Sequence, residues 1–171
     1  MQISYLECTR CGEHISAERP QNVCPKDGGV LFVRYDLASL KGKLRREDLS
    51  RRVASMWRYA EVLPDALPVT LGEGFTPMLP SREFANVFIK DEGLNPTGSF
   101  KARGMSAAVT MARHYGLKKL AAPSAGNAGG ALALTLRRLG SKLIFLCRRM
   151  CPWRIAWSAI ITARMSRWST D

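Results

Sequence analysis

Three short apolar runs in the second half of the chain alternate with two stretches of helical period. Val87-Phe88-Ile89, Leu120-Ala121-Ala122 and Lys142-Leu143-Ile144-Phe145-Leu146 read as strands. Between the first two, Met105, Ala108, Val109 and Ala112 share one face of a helix over 102–115, and Gly116 supplies its C-terminal cap. Residues 127–139 form the second helix, closed by Gly140. This β–α–β–α–β order predicts an α/β fold with a parallel sheet and flanking helices. In such sheets ligands bind at the carboxyl ends of strands, where loops enter helices.

The first half has a different pattern. Leu37, Leu40, Leu44, Leu49, Val53 and Trp57 recur at roughly helical spacing, which predicts a helical connector that Pro64 and Pro68 stop. Before it, residues 8–36 are rich in turn formers and cysteine, with one strand over Val30-Leu31-Phe32-Val33. Four segments result: 1–36, 37–68, 69–146 and a dissimilar tail, 147–171.

Composition narrows the class. Hydrophobic residues make up 46% and charged residues 23%, the balance of a folding chain. No apolar run approaches the ~18–20 residues of a membrane span. The N-terminus lacks a basic stretch followed by an apolar one, so a secretory signal is not expected. A cytoplasmic protein is the expectation, with its five cysteines as thiols or metal ligands. The net charge of +12 raises the question of nucleic acid. The basic residues are scattered, however, and no stripe with interleaved aromatics is found, so a solvated surface is the reading taken.

The cysteines of the first segment carry a recognisable spacing. Cys8-Thr9-Arg10-Cys11-Gly12 is a C-x-x-C knuckle, and Cys24-Pro25-Lys26-Asp27-Gly28-Gly29 repeats its form with aspartate in the fourth place. Zinc accepts a carboxylate oxygen as well as thiolates, so Cys8, Cys11, Cys24 and Asp27 form a candidate zinc-ribbon-like site. His14 lies too close to Cys11 for that geometry. The competing reading is a metal-free turn held by the following strand.

Two loops at the predicted strand ends carry further chemistry. In Gly93 to Gly104 a lysine, Lys101, stands in the first turn of a helix, beside unpaired N–H groups and the positive helix end. That setting disfavours its charged form and suits an amine that attacks a carbonyl. Asn95, Thr97 and Ser99 are placed to cap the helix and line a pocket. In Pro123 to Ala131, successive amides at a helix start suit an anion, and Asn127 adds a hydrogen-bonding side chain. Taken singly, the first loop is better read as an ordinary exposed lysine after a turn, and close helix packing explains the second equally well. The stretch Leu71 to Met78 reads as a tight glycine turn before an extended segment.

Together these residues resemble a known family. Asn95-Pro96-Thr97-Gly98-Ser99-Phe100-Lys101-Ala102-Arg103-Gly104 resembles the cofactor-lysine motif of fold-type II pyridoxal-phosphate enzymes. Ser124-Ala125-Gly126-Asn127 resembles their asparagine loop. Gly72-Glu73-Gly74-Phe75-Thr76-Pro77 and Met56 to Pro64 are similar to segments of the threonine synthases, many of which also carry a cysteine ribbon. The resemblance runs from about Leu6 to Leu146. It implies pyridoxal 5'-phosphate as cofactor, held by Lys101, with Asn127 on its ring oxygen. Ser124, Ala125 and Gly126 would bind the substrate carboxylate or orient the ring. The implied reaction converts O-phosphohomoserine to threonine and phosphate. The lysine motif alone would also fit a threonine or serine dehydratase. A reading of another class is a non-enzymatic zinc-ribbon module with a basic surface.

The tail departs from this pattern. It holds five arginines against one acid, Asp171, and three of the four tryptophans, with no glycine. A one-base change of frame through 147–171 permits a sequence that resembles the family's continuation after the third strand. The tail is therefore expected to be frameshifted, and the chain an inactive, truncated threonine synthase.

Overall fold

The computed structural model describes residues 3–124, 126–139 and 142–146. The chain divides into two compact units, one of residues 1–52 and 57–66, the other of 53–56 and 67–171.

The first unit is built on a three-stranded antiparallel sheet. Strand β1 (Ile3–Cys8) lies between β2 (His14–Ile15) and β3 (Leu31–Tyr35). Cys8 stands opposite Leu31, and Glu7 opposite His14. Glu7 Oε2 accepts from Arg34 Nε at 2.5 Å. Cys8 and Cys24 are buried, and little other apolar surface is: Phe32, Val33 and Tyr35 remain exposed. A core this small supplies little burial energy.

The continuous helix predicted over 37–66 is not formed. Three short 3-10 turns replace it, at Ala38–Leu40, Glu47–Arg51 and Met56–Val62. Gly42 takes a left-handed φ of 78°, Arg52 is extended, and Tyr59 is non-helical inside the last turn. Each breaks the hydrogen-bond ladder before an α-helix can propagate. The recurring apolar residues Leu37 and Val53 are exposed, so their spacing does not mark a buried face. Side chains hold this region instead: Arg52 pairs with both Glu61 carboxylate oxygens at 2.5 and 2.6 Å, and Arg58 donates to the Leu49 carbonyl.

The second unit holds the α/β part. Strand β4 (Met78–Pro80) pairs antiparallel with β5 (Phe88–Lys90), through a turn in which Asn86 takes φ 61°. Helix α1 (Lys101–His114), strand β6 (Lys119–Pro123), helix α2 (Asn127–Arg137) and strand β7 (Lys142–Leu146) follow. Strands β6 and β7 run parallel, Leu120 opposite Leu143. The expectation of one parallel sheet through all three runs is corrected for the first of them. Among the described residues, β5 has its backbone partner in β4, the extended segment after the glycine turn, and the two form a separate two-stranded sheet.

Helix α1 ends as its sequence requires. Gly116 adopts φ 68°, its amide returns to Arg113 O, and the Leu117 amide reaches Ala112 O at 2.9 Å. Val109 on α1 and Leu132 and Leu136 on α2 make the core with Val69, and Met105, Leu120, Ala122 and Leu139 pack around it. Val69 lies outside any strand, yet both its backbone groups are satisfied by side chains of α1. Its N–H donates to Thr110 Oγ1 at 2.8 Å and its carbonyl accepts from Ser106 Oγ at 2.7 Å. Both side chains are fully buried. No helix among the described residues is long and apolar enough to cross a membrane.

Replacing Thr110 by valine keeps the shape but leaves the Val69 amide buried without an acceptor. We expect Thr110→Val to lower the unfolding free energy by about 1–3 kcal/mol, and Thr110→Ser to lower it less. Equal stability of wild type and Thr110→Val in denaturant titrations would contradict this role.

Candidate functional site

The predicted lysine begins α1. Lys101 is the first residue of the helix, half-buried, with Nζ 4.4 Å from the centroid of the Phe100 ring. No carboxylate among the described residues pairs with it. The chain reaches this position through a 3-10 turn at Glu92–Leu94 and a tight turn in which the Gly98 amide returns to Asn95 O at 2.8 Å.

The capping roles expected for Asn95, Thr97 and Ser99 are not the ones observed, since no side chain caps α1. Backbone carbonyls of Ser99 and Phe100 take the amides of Ala102 and Arg103. Asn95 is buried and turned elsewhere: its Oδ1 accepts from the Gly74 amide at 3.0 Å, and its Nδ2 donates to the carbonyl and the carboxylate of Glu92. Thr97 Oγ1 and Ser99 Oγ are buried with no hydrogen-bond partner. Two unsatisfied hydroxyls just ahead of a lysine whose amine has no anionic partner offer ready donors to a polar group brought there.

Glu92 ties these parts together. Its carboxylate takes Arg103 Nε at 2.6 Å and Nη2 at 2.7 Å, a fork-to-fork pair. It also accepts from Thr76 Oγ1 at 2.6 Å and from Asn95 Nδ2 at 3.0 Å. Thr76 and Asn95 each join the glycine turn, Thr76 as a member and Asn95 through Gly74. That turn is conformationally demanding, with φ of 89° at Gly72, 99° at Gly74 and 54° at Phe75. A Cβ on Gly74 would lie 2.5 Å from the Met56 amide nitrogen and 3.0 Å from Arg103 Nη1. Only glycine fits between the motif arginine and the backbone at Met56.

Sequence reasoning missed Glu92. It precedes the motif and belongs to no periodic pattern. The one available signal was an acid lying within a loop's reach of the motif arginine.

The asparagine loop leads into α2. Ser124 Oγ accepts from the amides of Gly126 at 3.1 Å and Gly129 at 2.9 Å, so this buried hydroxyl orders the helix start. Asn127, the first residue of α2, is exposed. Ala125, expected beside it, lies outside the described residues. Lys101 and Asn127 are not hydrogen-bonded to one another.

In the first unit the four expected ligands come together. One ligand atom from each of Cys8, Cys11, Cys24 and Asp27 lies within 4.8 Å of the others. The Gly29 amide, chiefly, holds the Asp27 carboxyl down at about 2. At Cys11 the Glu13 amide favours the thiolate, but desolvation and the adjoining Cys8, Cys24 and Asp27 side chains outweigh it and push the thiol up to about 11. His14 is stacked on Tyr5, ring centroids 4.1 Å apart, and is not among these ligands.

Comparison with known proteins gives a consistent set of relatives. Residues 69–165 match the family described as pyridoxal-phosphate dependent enzyme. The chain is 38% identical over 149 residues to the threonine synthase of Methanosarcina acetivorans, covering 83% of this chain and 36% of that protein. It is 36% identical over 148 residues to the threonine synthase of Methanocaldococcus jannaschii, covering 81% and 36%. Among solved structures, a pyridoxal 5'-phosphate-dependent aspartate racemase aligns with a TM-score of 0.45 and 28% identity, over 51% of this chain and 30% of that one. The chain spans about a third of the length of these two synthases.

Arg103 holds the Glu92 carboxyl well below the 4.5 of an ordinary glutamate, at about 2, helped by Thr76 and Asn95. A carboxyl depressed in the folded state binds its proton more readily when unfolded. Its contribution to stability is therefore complete above pH 4.5 and lost as the pH falls from there towards 2. Glu92→Gln should lower stability at neutral pH and flatten the decline across that window. Parallel stability curves for the two proteins down to pH 2 would contradict it.

Proposed function

The chain belongs to the pyridoxal-phosphate dependent enzymes, and we propose that it is a segment of a threonine synthase acting on O-phosphohomoserine in the cytoplasm. The observation that carries the reading is Lys101 itself. It stands in a run resembling the cofactor-lysine motif, at a helix start, behind the two unpartnered hydroxyls of Thr97 and Ser99. The relatives favour threonine synthase over the dehydratase reading, because the matched proteins named above are threonine synthases.

These residues fit the cofactor by chemistry. Lys101 would hold it through Nζ, with Ser99 and Thr97 offering donors and Asn127 a hydrogen bond to the ring oxygen. Bound there, pyridoxal phosphate supplies an electron sink for carbanion chemistry. The chain's part is proton traffic and positioning. The Lys101 amine would take protons from the substrate's Cα and Cβ as phosphate leaves Cγ, and would return them at Cγ and at Cα once water has added its hydroxyl at Cβ and given its proton to the departing phosphate. In the first turn of α2 the Gly129 amide is held by Ser124 Oγ and that of Gly130 by Gly126 O, and the amides of Asn127 and Ala128, with Ser124, Ala125 and Gly126, would orient the ring or take the substrate carboxylate. Glu92 and Arg103 act indirectly, by fixing the glycine turn against the start of α1. Zinc enters only as a structural ion at Cys8, Cys11, Cys24 and Asp27 of the first unit, with no part in the reaction.

The frame change in the tail belongs to the same proposal. The family match runs past Leu146 to residue 165, which opposes a shift beginning at Cys147. The nucleotide sequence across codons 146–165 decides between them.

A protein restored to the full length of its relatives should be yellow with bound cofactor and release phosphate from O-phosphohomoserine. Lys101→Ala in it should abolish both, since it removes the amine that would bind the cofactor covalently. The 171-residue chain should do neither. Turnover that survives Lys101→Ala would overturn the assignment of Lys101, and turnover by the 171-residue chain would overturn the fragment reading.

A further inference from the structure

The two turns that gather the cysteine cluster repeat one another in the two backbone bonds that close them. In the first, the Gly12 amide donates to Cys8 O at 3.0 Å with Gly12 at φ 71°, and the Cys8 amide donates to Glu13 O at 2.9 Å. In the second, the Gly28 amide donates to Cys24 O at 2.9 Å with Gly28 at φ 69°, and the Cys24 amide donates to Gly29 O at 2.8 Å. By this correspondence Cys8 matches Cys24, and Cys11 matches Asp27. In the second turn the next amide, that of Gly29, bonds Asp27 Oδ1 at 2.8 Å. Aspartate thus occupies the place of the fourth cysteine in a turn built for one.

Two of the separations within the cluster, Cys11 to Cys24 and Cys8 to Asp27, are close to those around a shared ion. Tetrahedral ligands around zinc, with bonds of about 2.3 Å to sulfur and 2.0–2.2 Å to oxygen, lie about 3.4–3.8 Å apart. Cys11 Sγ and Cys24 Sγ are separated by 3.8 Å, and Cys8 Sγ lies 3.3 and 3.7 Å from the two Asp27 oxygens. Oδ1 accepts from the Gly29 amide and keeps a lone pair for an ion, so either Asp27 oxygen can serve as the ligand.

Gly29 gives an independent sign that this space is kept open. Its backbone is not left-handed, so glycine is not needed there for conformation. A Cβ at Gly29 would nevertheless lie 2.8 Å from Cys8 Sγ and 3.0 Å from Asp27 Oδ1. The missing side chain leaves room for the ligands.

We propose that Cys8, Cys11, Cys24 and Asp27 form a closed, four-coordinate site with three sulfur donors and one oxygen for a zinc-class divalent ion, in which Asp27 is a ligand and not a neighbour. This rests on the zinc reading above and is independent of the cofactor reading. Four protein ligands leave no open position, so the site stabilises the small sheet and has no hydrolytic role. Oxygen in the fourth place makes it a harder site than four thiolates.

Cobalt(II) titration of the reduced chain tests this, in a background carrying Cys147→Ser and Cys151→Ser so that the three cluster thiols alone remain. Tetrahedral ligand-field bands should rise to one equivalent and be displaced by zinc. Asp27→Cys should move the bands to longer wavelength and strengthen the sulfur charge-transfer absorption. Asp27→Ala should weaken binding by more than about tenfold, and so should Gly29→Ala, although that change removes no ligand. Circular dichroism of each variant with zinc confirms a folded chain. Asp27→Ala with unchanged bands and affinity would leave the ion on three thiolates and overturn the role of Asp27. A folded chain that takes up no cobalt would overturn the zinc reading and this inference together.

Discussion

Three side chains from three separate stretches of chain converge on the carboxylate of Glu92. Arg103 comes from the first turn of α1, Thr76 from the glycine turn, and Asn95 from the loop between. Short charge-assisted bonds of this kind are stronger than neutral ones, and the planar fork of Arg103 fixes direction as well as distance. Their effect is to hold the left-handed turn at 72–75 against the start of α1. Lys101 inherits its position from this arrangement, because it lies two residues from Arg103 on the same helix.

The rest of the second unit supports that anchor from below. Val109, Leu132, Leu136 and Val69 fix α1 against α2, and Ser106 and Thr110 bind the backbone of Val69. Seen from α1, the N-terminal turn reaches the glycine loop and the middle reaches Val69. The small residues Ala102, Ser106 and Ala112 on the buried face allow such close approach. A larger side chain at Gly74 would meet the Met56 backbone directly. The first unit follows another principle. Its sheet leaves Phe32, Val33 and Tyr35 exposed, and its order comes from two matched turns that gather Cys8, Cys11, Cys24 and Asp27.

Much of this was legible from residue pattern. Helices α1 and α2, strands β6 and β7 and the Gly116 cap lie where period and turn chemistry place them, because burial on one face and a left-handed glycine are local signals. The cysteine spacing likewise brought together Cys8, Cys11, Cys24 and Asp27. The helix over 37–66 was misread because Leu37 and Val53 repeat at helical spacing without being buried, while Gly42 and Arg52 break the ladder. The pairing of β5 was misread because its antiparallel partner at 78–80 is too short to announce itself as a strand. The part played by Glu92 was invisible, since its contacts at 76, 95 and 103 are set by tertiary folding. The hydroxyl of Ser124 orders the start of α2, which the motif alone did not reveal.

Native-state hydrogen exchange at the Gly74 amide tests the central constraint most directly. That amide is bonded to Asn95 Oδ1, and Asn95 is in turn held by Glu92. If the Glu92 carboxylate fixes the turn, Glu92→Ala will accelerate exchange at Gly74 while the amides of Cys8 and Cys24 in the first unit keep their protection. Unchanged protection at Gly74 in a folded Glu92→Ala protein would contradict the account.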